Sequence, residues 1–240
     1  MLIQASILAG ALPVLSLLRG TRVRGRALDL VFWFFTPLFT ANSTKLAVGA
    51  LLAGGALLLG DTGFGPVPGW PLWVQVAAAL VVTDFVGYWM HRWFHTGALW
   101  RFHAVHHAPR VVDWLSSARL HPVNQLLRRG AQGLALLALG FPVEVLAPVI
   151  PILVLHGLLV HADVDWDFGP LRWVVVSPAF HRWHHDLEVH DTNFAGLFPV
   201  WDAVFRTAWF PRHERSAAQG IAEELPFGLI PQLLWALRRR

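Results

Sequence analysis

The chain has 240 residues, of which 55% are hydrophobic and only 14% charged, with a mean hydropathy of +0.48; soluble domains carry about 25% charged residues, so much of this chain is built for lipid. Cysteine is absent, which excludes disulfides, thiolate metal sites, iron–sulfur clusters and a cysteine nucleophile. The net charge of +4 and pI near 10.9 do not point to nucleic acid, because the basic residues form no long polar stripe and instead flank apolar segments.

The first apolar stretch, residues 2–18, has no positive charge before it and no small-residue cleavage site after it, which predicts an uncleaved anchor. Arg19, Arg22, Arg24 and Arg26 follow at once; they mark the cytoplasmic side and put the amino terminus outside. Residues 28–41 are apolar and aromatic with Pro37 inside, and they read as an interfacial segment leading into a span near 44–60, with Lys45 at its cytoplasmic start. The loop GDTGFGPVPGWP, 60–71, is rich in turn formers, has no Lys or Arg and belongs outside. A third span, Leu72 to Met90, is long enough at about 1.5 Å per residue to cross a hydrocarbon core of roughly 30 Å. Pro122 opens a helix running to Gly140, Pro142 sits at the turn, and a return helix runs from Glu144 to His161, forming a membrane hairpin. On this topology all 19 Lys and Arg lie on the cytoplasmic side or at its boundary. The expected fold is an all-α integral membrane protein of about four to five transmembrane helices, with residues 91–121 and 162–240 as a cytoplasmic helical cap.

Ten of the 13 histidines crowd into four clusters. His91 and His95 are spaced i, i+4, which sets both rings on one helical face. His103, His106 and His107 form one HxxHH motif and His181, His184 and His185 a second, each giving i, i+3, i+4 on one face, so three imidazoles per helix can serve two ions. His156 and His161 end the return helix, where an i, i+5 offset turns the rings apart by about 140° at 100° per residue. His161 is therefore the better ligand, and His156 needs local unwinding to join it. Surface or interfacial histidines account for any single member but not for the ensemble at one membrane depth. Imidazole accepts zinc, copper, iron and nickel alike, and a structural zinc site needs only four ligands, so eight to ten histidines imply two ions. A bis-histidine haem protein and a zinc-dependent membrane hydrolase are the alternatives; the first leaves most of the rings unused, and the second wants a carboxylate base among the ligands that no cluster contains.

The ordered set YWMHRWFH, WRFHAVHHAP, ARLHP, HGLLVHADV, SPAFHRWHH and TNFAGLFPVWDAVF resembles the fatty acid hydroxylase and sterol desaturase superfamily of membrane di-iron enzymes over roughly residues 80 to 210. The resemblance implies two iron ions, O2 as cosubstrate, and hydroxylation or desaturation of a fatty acyl, sterol or related lipid drawn from the bilayer. It assigns ligand positions to His91, His95, His103, His106, His107, His161, His181, His184 and His185, with His156 a weaker match and His121 of the RLHP motif given no ligand role. It divides the single structural domain into anchor spans at 1–70, a catalytic region at 71–210 and a cytoplasmic tail at 211–240. Two positions depart from the usual pattern: Asp163 stands where Asn is common, and Arg206 stands in FRT where FGT is usual. Asp163 reads as facing water or, less simply, as tuning a ligand. Asp84, seven residues before His91, reads either as orienting a ligand ring or as a structural acid. Trp89, Trp93, Trp100 and Trp114 read as an interfacial aromatic belt.

Each turnover needs two external electrons, and the sequence shows no nucleotide-binding fingerprint, so a separate ferredoxin- or haem-type donor with its reductase is expected. The strong preference for Arg over Lys points to a GC-rich genome and a bacterial inner membrane. Because the chain has no native cysteine, single introduced cysteines test the topology: those in the 60–71 loop are expected to label from outside and those near the carboxy terminus from the cytoplasm. Labelling of both from one side contradicts the span count.

Overall fold

The structure, a computed structural model, describes residues 26–39, 42, 67–211 and 215–238. Among these residues the fold is helical with no strand; the one β contact is an isolated antiparallel bridge between Asp186 and Gln219. The helices are α1 (26–39), α2 (Leu72–Phe94), α3 (Trp100–His107), α4 (Pro122–Ala138), α5 (Leu146–Val160), α6 (Pro178–His184), α7 (Val200–Val204) and α8 (Leu229–Leu237). Two helical stretches are long and apolar enough to cross a membrane, Leu72–Phe94 and Val143–Val160, the second being α5 with the 3-10 turn that leads into it. The spans expected near 2–18 and 44–60 lie outside the described residues. The expected hairpin helix forms as α4, seventeen residues long and carrying Arg128 and Arg129.

Local chemistry sets these boundaries. His121 caps α4 through Nδ1, which accepts the Val123 N–H at 3.1 Å, and Pro122 takes the first helical position, where a missing N–H costs nothing. Gly140 ends the helix in the left-handed region (φ 79°), and Phe141 N–H closes on the Leu136 carbonyl at 3.0 Å. α4 and α2 approach closely at Gly87, where a Cβ would lie 3.0 Å from Gln132 Nε2. Gln132 in turn donates to the Thr83 carbonyl at 2.8 Å. The apolar layer between α2, α4 and α5 holds Ala79, Leu136, Val145 and Val149.

The long segment after α6 has no helix until α7 and takes its shape from two buried carboxylates. Asp202 of α7 accepts the Phe194 and Ala195 N–H groups at 2.8 Å each and the Thr207 hydroxyl at 2.6 Å. Asp84 of α2 accepts the Leu197 and Phe198 N–H groups at 2.8 Å and the Trp201 indole at 3.0 Å. Asp84 is thus the structural acid of the two readings, and it fixes backbone rather than a ligand ring. Tyr88 hydroxyl meets Thr207 Oγ1 at 2.9 Å and ties the same segment to α2.

Replacing Asp84 by Ala leaves two backbone donors and an indole N–H unpaired in a buried setting, at a cost of about 3 kcal/mol. The Asp84→Ala and Asp202→Ala proteins are expected to melt at clearly lower temperature in detergent than the parent. A melting temperature unchanged in both contradicts the pinning role.

Candidate metal centre

The two membrane-length helices run to the same end of the molecule and deliver histidines there. His91 and His95 lie at the carboxy-terminal end of α2, and His161 caps α5. α3 follows α2 after a short 3-10 turn and adds His103, His106 and His107, while α6 with its cap residue adds His181, His184 and His185. α6 starts cleanly because the Ser177 hydroxyl accepts the Phe180 N–H at 3.1 Å and Pro178 follows.

Nine rings converge as two groups: His91, His95, His103, His107 and His184, and His106, His161, His181 and His185, with the candidate ligand atoms of each group within 4.8 Å of one another. The partition follows a helical rule. Every i, i+4 pair stays together (His91 with His95, His103 with His107, His181 with His185), and the middle ring of each HxxHH motif crosses to the other group. The groups adjoin, since His107 and His185 stack with ring centroids 4.3 Å apart.

Within the groups, Nε2 atoms meet directly. His103 Nε2 lies 2.9 Å from His91 Nε2 and 3.1 Å from His107 Nε2. His161 Nε2 lies 3.2 Å from His106 Nε2 and 3.1 Å from His181 Nε2, which is itself 3.2 Å from His185 Nε2. A ring nitrogen carries either one proton or one in-plane lone pair. No assignment of tautomers therefore turns all of these contacts into hydrogen bonds. Nitrogens bound to one ion at about 2.1 Å lie roughly 3.0–3.4 Å apart, close to the observed spacing. His95 Nε2 and His184 Nε2 are buried without a hydrogen-bond partner, as expected of lone pairs reserved for a cation.

The opposite ring edges fix the tautomers. His91 Nδ1 donates to the Phe194 carbonyl, His161 Nδ1 to the Gly157 carbonyl and His184 Nδ1 to the Thr192 carbonyl, each at 2.7 Å, so Nε2 of each ring presents its lone pair. Burial, with the neighbouring imidazoles, holds His103, His106, His107, His181, His184 and His185 well below the ordinary histidine value. Burial takes His161 down to about 4. These rings are neutral at neutral pH, the state that binds metal.

His156 belongs to neither group. α5 stays helical to Val160, and the five-residue offset sets the His156 ring apart from that of His161. Asp163 does not face water: it pairs with Arg182 Nη1 at 3.1 Å, and Arg182 also donates to the Ala162 and Val164 carbonyls, binding α6 to the turn that carries His161. Trp100 leaves the expected aromatic belt and packs on the His95 and His107 rings, with centroids 5.1 and 5.4 Å away. The carbonyls of Phe194, Thr192 and Gly157 are invisible in the sequence, because a backbone acceptor leaves no residue-type signal.

The chain belongs to the fatty acid hydroxylase family, whose pattern matches residues 76–207 and so spans both groups. It is similar to an ornithine lipid hydroxylase from Rhizobium tropici, 32% identical over 174 residues, 71% of this chain and 53% of that protein. It is also similar to an alkylglycerol monooxygenase from Danio rerio, 33% identical over 58% of this chain and 30% of that protein, and to a very-long-chain aldehyde decarbonylase from Oryza sativa subsp. japonica, 27% identical over 57% and 24%. The chain thus spans about half the length of the first relative and less than a third of the others. No solved structure matches it.

Elemental analysis of purified variants tests the grouping. His184→Ala is expected to lose at least one metal ion per chain, whereas His190→Ala, at an exposed position, and His156→Ala keep the parent content. Full metal content in His184→Ala, or loss in His156→Ala equal to that in His161→Ala, contradicts it.

Proposed function

We propose that this member of the fatty acid hydroxylase family is a membrane-bound di-iron oxygenase that inserts one atom of O2 into a C–H bond of a bilayer lipid. The observation that carries the proposal is the pair of all-nitrogen groups, five and four rings, whose Nε2 contacts at 2.9–3.2 Å call for a cation in each. The ligands proposed are His91, His95, His103, His107 and His184 for one ion and His106, His161, His181 and His185 for the other. Imidazole nitrogen suits several metals; iron is favoured because hydroxylation needs a redox-active ion, and two of the three named relatives are a hydroxylase and a monooxygenase. Bis-histidine haem fits poorly: nitrogens in neighbouring contact occupy the positions that a porphyrin would fill. A zinc hydrolase fits poorly because among the described residues both groups consist of histidine alone, and Asp191, the carboxylate beside the first group, lies 3.7 Å from the Nδ1 edge of His95 rather than at its Nε2.

Iron bound at both groups would supply the reductive activation of O2 and the oxidising power for an unactivated C–H bond. The chain's own residues prepare that chemistry. The three Nδ1–carbonyl bonds hold the rings in one orientation, so little reorganisation accompanies metal loading. Phe94, Trp100 and Phe194 pack against the first group, with Phe194 centroids 5.0–5.8 Å from His91, His95 and His184. This aromatic wall limits water at the reacting end of an apolar substrate. The lipid is proposed to arrive from the bilayer, because both membrane-length helices end at the histidines and expose apolar side chains such as Val81, Phe85, Ile152 and Leu155 along their length. Two electrons per turnover are proposed to come from a separate ferredoxin- or haem-type donor with its reductase, and the metal groups to face the cytoplasm at a bacterial inner membrane.

Lipid profiling of cells with and without the gene tests this reading. A lipid that gains one oxygen atom only when the parent protein is made, and not with His107→Ala, is the expected result. Loss of two hydrogens without oxygen gain overturns hydroxylation, and an unchanged lipid profile overturns the oxygenase assignment.

A further inference from the structure

The carboxy-terminal helix α8 is not built as a solvated tail. Its inner face carries Gln232 and Ala236, both buried, and Leu229 and Leu233, which pack on Leu28 and Phe32 of α1 and Val105 of α3. The His121 ring also meets the Leu233 carbonyl at 3.3 Å. Its outer face is apolar as well: Ile230, Leu234 and Leu237 recur at offsets of four and three and are 51 to 59% exposed, and Phe227, just before the helix, is 74% exposed. Those offsets draw one stripe along a helix. The neighbouring α1 exposes a second stripe, Leu30, Val31, Phe34 and Leu38.

The charges that flank these stripes are mostly basic, the exposed acids nearest α8 being Glu223 and Glu224. Residues 227–240 contain no acid and end in Arg238, Arg239 and Arg240, and Arg19, Arg22, Arg24 and Arg26 precede or open α1. The one acid of α1, Asp29, is buried against Arg119, and Arg26, 39% exposed, meets the buried Asp113 at 3.6 Å. Depth is fixed by connectivity: α3, on which both helices rest, starts six residues after the membrane-length helix α2 ends.

We infer that α1 and α8 lie in the plane of the membrane as a paired amphipathic platform, their apolar stripes sunk among the acyl chains and their arginines set against anionic phospholipid headgroups. A large apolar face with arginine at its ends is the pattern of a helix in the bilayer interface. The aliphatic stripes also lack the mix of polar side chains that a protein partner's rim engages. The platform carries α3 on its inner side and sets the height of His103, His106 and His107 relative to the bilayer. This inference stands apart from the metal chemistry, and it holds for metal-free protein.

The native chain has no cysteine, so spin labels at single introduced cysteines read the depth directly in full-length protein reconstituted into vesicles of phosphatidylcholine with phosphatidylglycerol. Labels at Ile230→Cys and Leu234→Cys are expected to collide with O2 several-fold more than with a water-soluble nickel chelate. A label at the exposed Ala222→Cys should show the reverse order. In phosphatidylcholine alone, the labels at 230 and 234 are expected to sit shallower. Nickel accessibility at 230 and 234 equal to that at 222 overturns the platform. Exclusion of both relaxants overturns it in favour of a protein partner, with spin–spin broadening identifying a second copy. Equal depth in the two lipid compositions overturns the role of the arginines.

Discussion

Nitrogen lone pairs that point at one another repel unless a cation or a proton lies between them, and the nine converging imidazoles cannot supply enough protons. His103 Nε2 and His161 Nε2 each sit within 3.2 Å of two other ring nitrogens, and each has a single proton or lone pair to offer. The surroundings raise the stakes, because protonating these rings in a buried setting is costly. A cation in each group would relieve the conflict, and the fold around them holds the rings in place for it.

That organisation runs through carboxylates and one arginine rather than through the ligand helices alone. Asp84 and Asp202 hold the segment after α6 by its backbone N–H groups, and this segment presents the carbonyls of Thr192 and Phe194 that orient His184 and His91. Arg182, placed between His181 and His184 on α6, reaches the carbonyls of Ala162 and Val164 and so keeps His161 opposite His181. Arg206 has φ 57°, a left-handed conformation that costs a non-glycine residue about 1 kcal/mol or more. Glycine, usual at this position in the sequences that the chain resembles, adopts it freely. The turn at 206 is kept despite that cost because it brings Thr207 to Asp202 and Tyr88.

The convergence of the rings is legible in the histidine spacing itself. Offsets of three and four place rings on one face whatever surrounds the helix, so nine of the ten expected rings meet in the two groups. His156 is harder to place: whether it turns toward His161 depends on helix regularity, which its neighbours in sequence do not encode. Asp84 and Asp163 are ambiguous for a related reason. Their partners, the 197–201 segment and Arg182, come from distant parts of the chain, and only the tertiary fold brings them near. The same holds for α8, whose apolar sequence LIPQLLWAL has one face against α1 and α3 and a second facing outward. The family match ends at residue 207 and does not reach that helix.

Iron K-edge X-ray absorption combined with Mössbauer spectroscopy on iron-loaded protein addresses the centre most directly, because the two methods together report ligand type and the number of distinct irons. The account predicts two spectroscopically distinct, high-spin, non-haem irons in equal amounts, each surrounded mainly by imidazole nitrogen, with no sulfur. A single iron environment with one ion per chain, or a haem spectrum accounting for all the iron, would contradict it.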